Sequence, residues 1–445
     1  MDKKPTLSND KLRTQSASCQ AVWKQLTAEA FGKRRPADRV LAAIMREHRE
    51  FGSRDRRFIS ETVFGFFRFW GWLRLLLPPE KAAAFETSGT AELTAVEESK
   101  LLLGAALLAY QPGPLPEAAR FWAGHLRAAV PAVWDVAAAG RLLHAPDGWG
   151  DPAGLLPDWA LSHITPMLDS VRLLESLATR PFLWLRTQDG DPAKLAAELT
   201  AAGLSAQPHP ALPEALAVTG SVNVYTLESF RSGRFEVQDL ASQLIGLVCA
   251  PRPGERWWDC CAGAGGKSLE LAALMNRKGT VVATDIRSYK LDDLRKRARR
   301  AGFPNIETRP WDGGRPRRAN FDGVLVDAPC SCSGTWRRNP DGRWLLPESD
   351  LTDLAAIQLE ILSKAAAGVK PGGVLVYATC SMFEEENRAV VDKFMAAHPE
   401  FALEAFRDPI TGAETPGYVQ PDPQANGSDT MFAARMRRAG LDSCV

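Results

Sequence analysis

The 445 residues are too many for one ordinary domain, so two or three are expected. Hydrophobic residues make up 45% of the chain, enough for packed cores, and a formal net charge of +1 excludes a polycation held to nucleic acid by its overall field. Any such contact falls to local basic patches: Lys33-Arg34-Arg35, Arg54 to Arg57, the run from Arg295 to Arg300, and Arg315 to Arg318.

In chain order, residues 1–18 are polar and expected to be flexible. From 19 to 145 apolar residues recur at three- and four-residue spacing, as in Val22-Trp23-Leu26 and Val40-Leu41-Ile44-Met45, which predicts an all-α bundle. The stretch Phe58-Ile59-Val63-Phe64-Phe66-Phe67 is apolar on more than one side, as a central helix would be. A Pro-, Gly- and Asp-rich stretch marks a linker over 146–165. Residues 166–234 read as a small α+β unit, 235–437 as strands alternating with helices, and 438–445 as a tail. The alternation predicts an α/β domain with a parallel sheet covered on both faces.

No apolar run reaches the roughly eighteen residues of a membrane span, and the opening residues carry no secretory pattern. A cytoplasmic protein with reduced thiols and no membrane partner is expected. The only C-x-C is Cys330/Cys332 and the six histidines are scattered, so no metal is expected.

A glycine-rich turn, Cys261-Ala262-Gly263-Ala264-Gly265-Gly266-Lys267, runs from a strand end into a helix, where glycines permit close backbone approach to a ligand. About twenty residues on, Asp285 ends the next strand with a carboxylate suited to ribose hydroxyls, and Asp312 follows a further strand. The spacing matches neither the dinucleotide nor the triphosphate glycine pattern. A nucleoside without a phosphate chain fits better, and S-adenosylmethionine answers that description.

Cys330, in Asp327-Ala328-Pro329-Cys330-Ser331, and Cys380, in Thr379-Cys380-Ser381, each stand just past an apolar strand. Ligands of doubly wound sheets bind at strand carboxyl ends, so Asp327, Cys330 and Cys380 can face one crevice. The plainer alternative is that these thiols are small buried hydrophobes, as Cys19, Cys249 and Cys444 are expected to be. Cys260 and Cys261 then serve packing or the backbone of the turn.

These two strings, with Glu386-Asn387, Arg337-Arg338-Asn339-Pro340-Asp341 and the glycine turn, resemble the signature motifs of RNA cytosine-C5 methyltransferases. The resemblance covers the C-terminal half and implies a Rossmann-like, S-adenosylmethionine-dependent catalytic domain. It implies that Cys380 adds to C6 of cytosine, that Cys330 assists release, and that Asp327 and Lys267 hold the base. Cofactor contacts fall to residues 261–267, Asp285, Asp312 and Asp327. Covalent catalysis of this kind divides one hard step into easier ones, and Cys380 is expected to have a depressed pKa.

Gly263-Ala264 replaces the family's Ala-Pro, which is expected to loosen the turn. Cys332 stands where the family more often has a small residue. Lys267 as a solvated first-turn lysine remains the alternative to a base contact. The helical segment is similar to the antitermination-factor-like domain that precedes bacterial rRNA methyltransferases, with Arg54, Arg56 and Arg57 as phosphate contacts or a solvated turn in equal measure. The run Arg295 to Arg300 reads as a solvated helix face, and Trp184 and Trp311 as core rather than base-stacking residues. Small-subunit (16S) rRNA is the expected partner, tRNA the nearest rival, and a non-catalytic ribosome-assembly factor the reading from another class. A monomer is expected.

Overall fold

A computed structural model describes residues 8–188, 191–220, 222–316 and 318–440. The first seven residues and the end of the tail, with Cys444, lie outside the described residues. The chain forms two compact units: Met1–Ser162 with Leu174–Thr179 and Trp336–Glu348, and His163–Leu173 with Arg180–Thr335 and Ser349–Val445.

The first unit is helical. A helix runs from Asn9 to Lys33 behind Ser8, whose side chain accepts from the Lys11 N–H. Residues 9–18 are therefore ordered helix, and the expected flexible start to residue 18 is corrected: Leu12 is already in the core. The helix Ser53–Arg68 buries Phe58, Ile59, Val63, Phe66 and Phe67, the all-round apolar pattern of a central element. Trp23, Phe66, Trp70 and Phe85 pack ring to ring, with centroids 5.0 Å apart for Phe66–Trp70 and 5.2 Å for Trp70–Phe85. A capping box of Thr94 and Glu97 starts the apolar helix Ala95–Ala109 beside it.

Late in the chain, residues 336–348 belong to this same helical unit, so the expected unbroken catalytic domain over 235–437 is corrected. The reason is Arg343. It is fully buried, and its guanidinium donates to four backbone carbonyls, those of Arg68 and Leu155 at 3.1 Å, Leu177 at 2.9 Å and Trp336 at 3.0 Å. Asp341 accepts from the Ala37 N–H at 2.8 Å, and the Trp344 indole donates to the Phe67 carbonyl at 2.6 Å.

The second unit holds two main sheets. The strands are β1 (Leu183–Thr187), β2 (Ser205–Pro208), β3 (Ala215–Thr219), β4 (Phe235–Val237), β5 (Arg256–Asp259), β6 (Thr280–Asp285), β7 (Ile306–Pro310), β8 (Phe321–Asp327), β9 (Val369–Thr379), β10 (Phe401–Leu403), β11 (Phe406–Arg407), β12 (Glu414–Thr415), β13 (Tyr418–Val419) and β14 (Phe432–Arg438). The small sheet has the order β2-β3-β1-β4. Strand β4 pairs with β1, so the small sheet extends past the expected division at 234.

The large sheet has the order β10-β14-β9-β8-β5-β6-β7, with β13 on β14. Strands β5 to β9 pair in parallel and β14 runs antiparallel to β9. Side chains alternate across it. Trp257, Val281 and Leu325 enter the core on one face, and Trp258, Val282 and Val324 the core on the other. This is a Rossmann-like sheet. From β5 the chain builds outward to β7, then returns to lay β8 on the opposite side of β5. That reversal opens a crevice at the strand carboxyl ends, where Asp259, Asp285, Asp327 and Thr379 stand. Among the described residues no helix is long and apolar enough to cross a membrane.

Candidate active site

Strand β5 ends at buried Asp259, whose Oδ2 accepts from Ser268 Oγ at 2.6 Å. Burial pushes this carboxyl up to about 7, against the lowering effect of the Ser268 bond. The glycine turn then leads into the helix Gly266–Leu274. Gly265 has φ of 86°, and a Cβ there would lie 2.3 Å from Leu294 Cγ, so conformation and space both require glycine. Gly263 has φ of 52° and would find no atom within 4 Å, leaving an open cradle beside its backbone.

The turn is pinned from both sides. Asp285 Oδ2 accepts from the Gly263 N–H at 2.9 Å, and Arg297 donates to the Ala264 carbonyl at 2.8 Å. Loosening through Gly263-Ala264 is therefore corrected: these two bonds hold the turn. Arg297 and Arg300 also bind the buried carboxylate of Glu236, so they are ion-pair partners rather than a solvated face. Asp285 itself sits beneath Arg287, which donates to it from Nε at 3.0 Å and Nη2 at 3.2 Å. Burial raises the Asp285 pKa, but bonds from the Arg287 side chain and from the backbone N–H groups of Arg287 and Gly263 outweigh it and hold it below the usual range. Asp312 follows Trp311, whose backbone N–H donates to the Asp285 carbonyl at 3.4 Å; it is exposed and accepts from the Gly314 N–H at 2.9 Å within its own loop.

At the end of β8, Asp327 Oδ2 meets Lys267 Nζ at 2.8 Å, with the Lys267 side chain only 12% exposed. A solvated lysine is thus excluded. Burial pulls its pKa down, but the Asp327 charge and hydrogen bond reverse that and keep the ammonium charged. Cys330 and Cys380 come together with Sγ atoms 3.3 Å apart, both thiols reduced and half-buried. Cys332 is exposed, and its Sγ lies within 4.8 Å of both.

The expected depression of the Cys380 pKa is corrected. A bond with Cys330 lowers it, but the bond with Cys332, burial and the neighbouring Asp327 charge push it well above the ordinary thiol value.

Beneath the thiols lies a polar network in which Gln358, Thr379, Ser381, Glu386 and Asn387 are buried and Ser331 is half-buried. Glu386 Oε1 accepts from the Ser331 N–H at 2.8 Å and Gln358 Nε2 at 2.9 Å, and Oε2 from the hydroxyls of Ser331 and Ser381, each at 2.5 Å. Asn387 accepts from Thr379 Oγ1 at 2.5 Å and donates to the Ser381 carbonyl at 3.0 Å. The two motif residues thus tie the Cys330 loop to the Cys380 loop.

Residues 246–437 match the family described as 16S rRNA methyltransferase RsmB/F. The ribosomal RNA small subunit methyltransferase B of Salmonella paratyphi B is 34% identical over 298 residues, spanning 64% of this chain and 67% of the relative. The chain belongs to the RsmB/F family. The Salmonella typhi relative of the same description is 33% identical over the same shares. Among solved structures, PH0851 superposes with a TM-score of 0.72 at 23% identity, over 98% of this chain and all of that one. NSun6 from Pyrococcus horikoshii with SFG has a TM-score of 0.53 at 20% identity, over 60% of this chain and 94% of that one. These likenesses carry the fold. As a family member the chain is an S-adenosylmethionine-dependent methyltransferase.

Sequence reasoning missed Arg287, Arg297 and the network under the thiols. Arg297 sits in a basic local context that looks solvated, and only the fold supplies its partner Glu236, whereas the partner of Arg287, Asp285, stands two residues before it. The Glu386-Asn387 pair was visible as a motif but not as a clasp. Arg56 is also corrected: its guanidinium donates to the carbonyls of Phe51, Met45 and His48, while Arg54 and Arg57 are exposed. Trp184 is buried, and Trp311 packs edge-on against Trp258 at 5.0 Å.

Proposed function

We propose that the chain methylates C5 of a cytosine in 16S rRNA through a covalent bond between Cys380 and C6. The observation that carries this reading is the 3.3 Å approach of Cys330 and Cys380 beside the Lys267–Asp327 pair at the carboxyl ends of β8 and β9. One thiol serves an addition, whereas two at one spot suit an addition followed by an elimination. The curated relatives described as ribosomal RNA small subunit methyltransferase B support the choice of RNA.

The residues fit the cofactor. Gly263 leaves an open cradle, and Asp285 offers a strand-end carboxylate once its bonds with Arg287 are shared. S-adenosylmethionine supplies the methyl group when bound. Cys380, as thiolate, adds to C6 and raises the electron density at C5, which takes the methyl. Cys330 assists removal of the C5 proton, after which the C6–sulfur bond breaks and Cys380 is regenerated. Asp327 and Lys267 grip the polar edge of the ring. The resting thiol of Cys380 has to lose its proton, and a hydrogen bond from the cytosine to Asp327 weakens the opposition of that charge to the thiolate. The target must be single-stranded or turned out of its helix to enter the crevice.

The test is transfer of labelled methyl from S-adenosylmethionine to total RNA lacking C5 methylation, followed by mapping of the label. Cys330→Ala should accumulate a covalent RNA adduct that Cys380→Ala cannot form. No transfer to any RNA overturns the enzyme reading, label in tRNA alone overturns the rRNA reading, and an adduct in Cys380→Ala reverses the two roles.

A further inference from the structure

The proposed reaction uses two thiols, yet three converge. The Sγ atoms of Cys330, Cys332 and Cys380 all lie within 4.8 Å of one another. Cys332 reaches the group from a backbone conformation that side chains disfavour, with φ of 57°. Its carbonyl is held there by the Thr335 N–H at 3.0 Å and Thr335 Oγ1 at 2.8 Å, and its thiol donates to the Cys330 carbonyl at 3.5 Å. The Glu386 clasp ties the loop that carries Cys330 and Cys332 to the loop that carries Cys380. Three sulfurs on a firm base, with the outermost exposed, leave one side open to solvent.

That is the donor set of a soft cation. Zinc–thiolate bonds of about 2.3 Å in tetrahedral geometry place sulfurs roughly 3.8 Å apart, so small side-chain adjustments seat the ion. Cys330 and Cys380, at 3.3 Å, need to part slightly, and Cys332 needs to close in. Three thiolates and one divalent cation leave a net charge of −1, and the buried Lys267 ammonium, which feels the Cys380 charge, offsets it.

We propose that Cys330, Cys332 and Cys380 form an inhibitory binding site for a thiophilic divalent cation, Zn2+, with water at the fourth position. Binding replaces three S–H protons by three S–Zn bonds and releases the protons to solvent, with no change of oxidation state. The occupied site has no thiol to offer a base. The inhibition rests on the function proposed above, whereas the binding does not.

The test uses the reduced full-length chain under anaerobic conditions, without RNA or cofactor. Titration with Co2+ should give thiolate-to-cobalt charge-transfer absorption that saturates at about one ion per chain and is bleached by Zn2+, with proton release on binding. Cys332→Ser, at an exposed position, should fold normally, weaken Zn2+ binding at least tenfold and lose part of the charge-transfer band. Cys261→Ser should leave the band unchanged. Unaltered Zn2+ affinity in Cys332→Ser, or loss of the band in Cys261→Ser, overturns the site. In methyl-transfer assays Zn2+ should inhibit the wild type at concentrations that spare Cys332→Ser. Equal inhibition of both, with the binding difference intact, overturns the inhibitory role and leaves the site standing.

Discussion

The hydroxyls of Ser331 and Ser381, fifty residues apart in the chain, lie 3.2 Å from each other and donate to the same oxygen of Glu386. Each serine directly follows one of the paired cysteines. The spacing of the two thiols is thus held by a carboxylate that touches neither of them.

Glu386→Gln keeps the shape but turns one acceptor into a donor facing donors. Charge-assisted hydrogen bonds of this kind are worth about 1.5–3 kcal/mol each. The variant should lose on the order of 3 kcal/mol in urea unfolding, and methyl transfer should fall at least tenfold with cofactor binding unchanged. A parallel loss of cofactor affinity would show that Glu386 supports the whole crevice rather than the thiol pair.

Lys267→Met and Asp327→Asn should each lower kcat for methyl transfer by about a hundredfold, because both disturb one 2.8 Å ion pair at the proposed base. The double variant should be scarcely worse than either single one. Additive losses in this cycle would mean that the two side chains act separately.

The raised pKa of Cys380 makes its thiolate scarce at neutral pH, so iodoacetamide labelling of its peptide should be slow at pH 7 and climb through the alkaline range. Asp327→Asn removes a negative neighbour and should shift that rise to lower pH. Quantitative mass spectrometry of the labelled peptide across pH is the measurement, and a rise already complete below pH 7 would contradict the geometry.

Asp259 and Glu270 are buried carboxyls raised by burial from 3.8 and 4.5, respectively, to about 7. The fold favours their protonated forms. Their stabilising contribution is complete below the unfolded values and is lost as pH rises through about 7. The melting temperature of the unit that holds them should decline across that window. Asp259→Asn and Glu270→Gln should flatten the decline, and an unchanged slope in both would refute the assignment.

Arg343→Met should destabilise the helical unit by about 4 kcal/mol in urea unfolding, since four buried carbonyls lose their donor. Arg57→Met, at an exposed position, is the control and should cost under about 0.5 kcal/mol.

The sheet was legible because its signals are local: apolar runs ending in Asp259, Asp285 and Asp327, punctuated by glycine. The cysteine motifs were legible for the same reason, being short strings at strand ends. What escaped depends on distant partners. Arg343 looks like any surface arginine until Leu155 and Leu177 surround it. Arg297 reads as solvated until Glu236 meets it. Metal ligation looks poor along the chain, where Cys330 and Cys332 have no second pair at ligand spacing, whereas the sheet supplies Cys380 from fifty residues away.

The excursion of residues 336–348 into the helical unit sets an order of assembly. On the ribosome, the helices up to Ser162 emerge long before Arg343 exists to satisfy the carbonyls of Arg68 and Leu155. The first part of the chain made is therefore not the first part finished. It waits, with a vacant polar socket, until most of the parallel sheet has been synthesised, and no single cut in the gene yields the helical unit whole.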